Sequence, residues 1–200
     1  VGARAERISA GGTHMAHLID LHGTAMGEFG RRVHEIKMTD WVLPTPCQDW
    51  DVHDLVNHLT TEQLWVPPLL AGERIEDVGD RFEGDNLGEE PITTWEVASR
   101  EARTAWLAPS SLESTVHLSF GDTPAEVYLW QMTFDLTVHA WDLARALGVD
   151  ETLDPDLVKE VHTWASGQGW GPGAMFDAPV RVGDDAGTQD RLIALTGRTP

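Results

Sequence analysis

The sequence predicts an all-α protein, a bundle of helices followed by a small C-terminal appendage, on three observations. Apolar residues recur at three- and four-residue steps through several long stretches, as on amphipathic helices. Prolines and glycines fall between those stretches, at positions that suit helix starts and stops. Only two short pieces, 115–120 and 178–182, have the composition of extended chain.

Taken in order, residues 1–14 (VGARAERISAGGTH) have no apolar run and do not read as a signal peptide. They are expected to be a poorly ordered leader or an expression remnant, with folding beginning near Met15. From there to about Lys37, Leu18, Leu21, Ala25, Met26, Phe29, Val33 and Ile36 mark one apolar face. His17, His22 and His34, and His53 further on, are assigned to polar, solvated faces. A second helix opens after Asp49 or Asp51, either of which can cap its first turn. It turns Val52, Leu55, Val56 and Leu59 inward and is expected to end before Pro67-Pro68. Residues 71–91, rich in Gly, Asp and Glu, read as an exposed loop. A third helix, 92–108, places Trp95, Ala98, Ala102, Ala105 and Trp106 inward. After the extended piece and a turn at Gly121-Asp122, Pro124 suits the first position of a long fourth helix closed by Gly148. Asp154-Pro155 starts a fifth helix over 156–167. The Gly-rich tail holds a strand candidate, APVRV (178–182), and a short helix, TQDRLIAL, stopped by Gly197. The expected division is therefore 1–14, a bundle over 15–150, and a C-terminal helix with its appendage over 151–200.

Charge narrows the function. Fourteen Lys+Arg against 33 Asp+Glu give a formal −19, a surface that repels nucleic-acid backbones and anionic membranes. An anionic ligand would need a local positive centre such as a metal or a buried arginine. One cysteine, Cys47, rules out an internal disulfide and fits a reducing cytoplasm, and no apolar run is long enough to span a bilayer. Nine tryptophans, Trp41, Trp50, Trp65, Trp95, Trp106, Trp130, Trp141, Trp164 and Trp170, are spread along the chain as packing anchors.

The chemistry-bearing residues lie on the fourth helix. Asp135 and His139 are four apart and so share one face, among Leu129, Met132, Leu136, Leu143 and Leu147. A carboxylate on such a face is costly to bury unless it is paired or bound to a metal. His58, near the inward side of the second helix, is the best third donor. Two histidines and a carboxylate leave positions open for water or substrate and suit zinc first, with iron or nickel as alternatives. On spacing alone Asp135 and His139 are equally an intrahelical ion pair. Cys47 has no neighbour in sequence that would depress its pKa, and it reads as structural. His117 is placed near the bundle mouth and His162 on an ambiguous side. No Gly-rich phosphate loop, nucleophile elbow or H-E-x-x-H occurs, and the acidic stretch 73–90 lacks calcium-loop spacing.

Two segments carry a resemblance. PTPCQDWDVHDLVNHL (44–59) and DLTVHAWDLARALG (135–148) resemble the signature stretches of the mycothiol-dependent maleylpyruvate isomerase family, within the DinB-like metal-binding bundles. The close, APVRV…DAGTQDRLIALTGRTP (178–200), is similar to that of a short actinobacterial branch. The resemblance implies a DinB-like four-helix bundle with a small C-terminal α+β appendage, and metal ligands at His58, Asp135 and His139. It places Asp135 where the family's isomerase has a Glu one methylene longer. About fifty residues follow Gly148, fewer than in that isomerase, whose larger C-terminal domain helps recognise thiol and substrate. Arg191, Arg198 or Arg145 could supply the positive centre, although each reads first as a surface or helix-end arginine.

The resulting expectation is a cytoplasmic enzyme that uses mycothiol or a similar small thiol on an electrophilic substrate, for S-transfer or isomerisation. Trp50 and Trp141 would wall the site, Asp142 would orient a ligand imidazole, and Arg145 would lie beside it. Metal-dependent hydrolysis and a non-catalytic metal- or ligand-binding bundle are the alternatives, and a bundle face leaves room for a homodimer.

Overall fold

A computed structural model describes the backbone of residues 2–169 and 176–200, and side chains from residue 14 onward. Trp170 lies outside the described residues. The chain is mostly helical: α1 (Gly2–Val33), α2 (Val52–Leu70), α3 (Ile75–Val78), α4 (Pro91–Trp106), the strands β1 (Thr115–Leu118) and β2 (Gly121–Pro124), then α5 (Ala125–Leu147), α6 (Pro155–Ser166) and α7 (Thr188–Leu195). Among the described residues no helix is long and apolar enough to cross a membrane. The chain divides into two compact units, Val1–Gly23 with Val56–Met132 and Thr24–Leu55 with Thr133–Pro200.

The first unit buries Leu18, Leu21, Leu59, Val66, Trp95, Trp106 and Leu129. The rings of Trp106 and Tyr128 pack with centroids 5.6 Å apart. Arg103 on α4 donates from Nη1 to the Ile19 carbonyl of α1 at 2.6 Å. The segment after α3 is tied to α2 by side-chain amides: Asn86 N–H donates to Asn57 Oδ1 at 2.8 Å, and Asn57 Nδ2 to the Gly84 carbonyl at 2.9 Å. The expected extended piece is one arm of an antiparallel hairpin, with Val116 opposite Thr123 and His117 opposite Asp122. Pro124 ends β2 instead of opening α5. Its missing N–H costs the ladder little at a strand end.

Two further expectations in this unit are corrected. His22 is not solvated: it is fully buried, 6.0 Å from the ring of Trp106, and neither ring nitrogen has a hydrogen-bond partner. It continues the stripe Leu18, Leu21, Ala25, Phe29, so the helical spacing itself places it inward. Nor does α2 stop before its prolines, since Pro67 and Pro68 lie inside its last turn. The missing N–H groups take the i+4 donors from the Gln63 and Leu64 carbonyls of the preceding turn, while the Pro67 and Pro68 carbonyls still accept from Ala71 and Glu73 N–H, each at 3.0 Å. Buried Val66, Pro68 and Leu69 hold the turn in place against the proline penalty of about 3 kcal/mol.

The second unit is built on Phe29, Val33, Val52, Leu55, Leu136, Trp141, Leu143, Leu157, Val161, Leu192 and Ile193. Arg32 is fully buried with its two terminal nitrogens satisfied and only Nε left without a partner: it pairs with Glu28 Oε2 at 2.6 Å and donates to the Asp150 and Thr152 carbonyls at 3.0 Å each. Asp51 and Asp54 cap α2 reciprocally, with each backbone N–H bound by the other's carboxylate. Asp154 caps α6, accepting from Asp156 and Leu157 N–H at 3.0 and 2.9 Å. Residues 178–182 are not a strand. Val180 N–H donates to the Ala194 carbonyl at 2.9 Å, but Pro179 lacks an N–H and no strand among the described residues supplies a ladder. After α7, Gly197 adopts φ +81, and a Cβ there would overlap the Cβ of Asp177. The glycine lets the tail turn back toward α5.

Candidate functional site

From Met132 to Ala144 every residue of α5 is buried. Within that run Asp135, His139 and Asp142 fall at i, i+4 and i+7, on one face. Three ionisable groups on a buried helix must find partners, and they find one another. His139 Nε2 lies 3.3 Å from Asp135 Oδ1, and Nδ1 lies 2.9 Å from Asp142 Oδ2. The imidazole is thus held at both nitrogens. Trp50 stacks on it, ring centroids 6.0 Å apart at 29°, and Phe176 packs at 5.8 Å.

The segment before α2 brings further groups to this face. The Thr45 hydroxyl accepts from Cys47 N–H at 3.1 Å and donates to the Trp50 carbonyl at 2.9 Å. Trp50 N–H returns to the Cys47 carbonyl at 3.2 Å, and Asp49 takes a left-handed φ of 64 at the tip. That tight loop fixes Cys47 and Trp50 against α5. The Cys47 thiol donates to Asp142 Oδ2 at 3.3 Å, and its sulfur lies 3.7 Å from His139 Nδ1. Arg198, just after Gly197, completes the set. It grips Asp142 through Nε to Oδ1 at 3.0 Å and Nη2 to Oδ2 at 2.8 Å, and Nη2 also donates to Cys47 Sγ at 3.3 Å.

The electrostatics follow from burial set against pairing. Burial opposes charge on His139, but Asp135, Asp142 and Cys47 together lift its pKa well above the ordinary imidazole value. Burial likewise penalises the Asp142 carboxylate, yet hydrogen bonds from His139 and Arg198 bring its pKa below the usual range. Arg198, against its own burial, is held charged by Asp142 and Cys47.

The residues singled out from sequence are placed as follows. Asp135, His139, Asp142 and Trp50 come together in the second unit. Trp141 is buried there, with the Arg145 guanidinium over its ring at 4.4 Å. Arg145 is otherwise engaged by Glu151 through two hydrogen bonds, of 2.6 and 2.8 Å. Arg191 binds the Ala186 and Asp184 carbonyls of its own loop. His58 belongs to the first unit, half-buried near the start of α2. His117 pairs with Asp122 across the hairpin at 2.7 Å. Two members of the site were read from sequence first as structural or surface residues. Cys47 touches Asp142, His139 and Arg198, and Arg198, named as one possible positive centre, is not a surface residue, its side chain being 10% exposed. They lie 92 and 59 positions from His139 (139 − 47 and 198 − 139), and no local pattern links them.

The fold and site define a mostly helical protein with a His/carboxylate pair buried on one helix face. The chain matches the family described as the mycothiol maleylpyruvate isomerase N-terminal domain over residues 22–144, and it belongs to that family. It is 29% identical over 182 residues to the uncharacterised protein Rv0738 of Mycobacterium tuberculosis strain H37Rv, covering 89% of this chain and 96% of that protein. The same values hold for the uncharacterised protein MT0763 of strain CDC 1551. Among solved structures, the mycothiol-dependent maleylpyruvate isomerase shares the fold, with a TM-score of 0.58 and 14% identity, over 76% of this chain and 69% of that one.

Proposed function

We propose that the chain is a metal-dependent enzyme that uses mycothiol or a similar low-molecular-weight thiol on an electrophilic small molecule, for isomerisation or S-transfer. The ion, zinc by preference, would be held by Asp135 and His139, with His58 the third donor that the family resemblance implies. One observation carries the reading. Asp135 Oδ1 and His139 Nε2 are 3.3 Å apart, the separation of two donors on a tetrahedral ion with bonds of about 2.0–2.1 Å. Family membership supports the thiol.

The chain's own residues divide the work. Asp142 accepts from Nδ1–H of His139, fixing the tautomer that leaves the Nε2 lone pair facing Asp135. Trp50 and Phe176 hold the ring plane from packed positions and keep water from it. When bound, the ion would lower the pKa of a thiol so that it reacts as thiolate near neutral pH.

The test is metal content by plasma mass spectrometry of protein purified without a histidine tag. About one zinc per chain is expected in wild type, with loss in His58→Ala, Asp135→Ala and His139→Ala. Consumption of an electrophile should then require added thiol. Turnover of esters without thiol would point to hydrolysis, and wild type that binds no metal after reloading would sink the proposal.

A further inference from the structure

We infer that Arg198 occupies the cation position of a second donor set, formed by Cys47, His139 and Asp142, and so keeps a soft metal ion off the Nδ1 side of His139. The ligand atoms of these three residues all lie within 4.8 Å of one another. Thiolate, imidazole and carboxylate together suit a thiophilic divalent ion better than the oxygen-rich sites of hard cations do. The proposed function draws on His139 and Asp142 but gives no role to Cys47 or Arg198, and the set lies wholly in the second unit.

The guanidinium already fills the place such an ion would take. It meets Asp142 with both prongs, at 3.0 and 2.8 Å, and reaches Cys47 Sγ at 3.3 Å. Its third nitrogen donates to the Thr196 carbonyl at 2.9 Å, and its face rests 4.9 Å over the ring of Phe176. A planar fork matched to a carboxylate holds better than a lone ammonium. For a metal to enter, Sγ would have to release its proton to solvent, and Arg198 would lose its carboxylate while still largely buried, which is costly. Arg198 also supplies the positive charge that Asp142 needs without being a Lewis acid. Asp142 therefore stays free to accept from His139, and Arg198 acts as a positioning residue that confines metal to Nε2.

The experiment titrates cadmium into the full chain and follows the ultraviolet sulfur-to-cadmium charge-transfer band, which reports Cys47 alone because the chain has one cysteine. Arg198→Met should gain the band, saturating at one equivalent. Wild type and Arg198→Lys should lack it, and Arg198→Met with Cys47→Ser should lose it. Far-UV circular dichroism verifies folding of each variant. Wild type gives a second readout that needs no variant: excess cadmium should leave alkylation of Cys47 by iodoacetamide unprotected. A band or protection in wild type, or no band in folded Arg198→Met, overturns the inference. Combining Arg198→Met with His58→Ala separates this inference from the zinc proposal, since the band should survive that change whatever the zinc content of wild type.

Discussion

His22 is an imidazole sealed in apolar surroundings with both nitrogens unpartnered. Burial, helped by Arg103, lowers its pKa from 6.5 to about 3. Between those values the unfolded chain takes up a proton that the folded chain refuses, so acid favours unfolding. The contribution of His22 should cost about 1.4 kcal/mol for each pH unit below 6.5 and vanish above it. Urea denaturation of wild type and His22→Leu at pH 7, 5.5 and 4.5 checks this. The gap between them should open in favour of the variant as pH falls, and at pH 7 the variant should be no less stable, because two orphaned nitrogens are gone. At this scale the sequence is legible where partners are near neighbours. Asp135, His139 and Asp142 share a helical face by arithmetic, and the stripe through Leu18, Leu21 and Ala25 would have placed His22 inward had the spacing been weighed above residue type. Cys47 and Arg198 meet α5 only through the folded chain, and no spacing rule reaches that far.

Helix ends were the readable part of the elements, because capping is local chemistry. Asp154 with Pro155 announced α6, and Gly148, at φ +66, ends α5. Asp154→Ala should lower stability by about 1 kcal/mol, measured as the urea midpoint, since two first-turn N–H groups lose their acceptor. Gly148→Ala should cost a similar amount, about 1–2 kcal/mol by the same measurement, for want of a left-handed conformation without strain. Elements that depend on a partner elsewhere were harder to read. APVRV has strand composition but nothing to pair with, whereas the hairpin 115–124 brings its own second strand. Proline is read locally as a stop, yet α2 continues because buried Val66 and Leu69 fix its last turn.

Across the whole molecule, helical periodicity was enough to give the fold class, since several long amphipathic stretches admit few other solutions. Two signature segments gave the family. The formal charge of −19 adds a property that no single contact reveals. Like charges spread over the surface repel one another more in the compact state than in the expanded one. Raising sodium chloride from low concentration to about 0.15 M, where the Debye length is about 8 Å, should therefore raise the thermal midpoint. A midpoint that stays flat or falls would mean that ion pairs such as Arg31–Glu28 and Arg81–Glu73 outweigh the repulsion.

Gly197 has no side chain and touches no ligand, yet Arg198 reaches Asp142 only because the backbone bends at that point. Any missense change at its codon writes in a residue with a Cβ, which would meet Asp177. Under mutation the position should behave as an active-site residue does, purged of variation, and in a saturation library it should tolerate almost nothing.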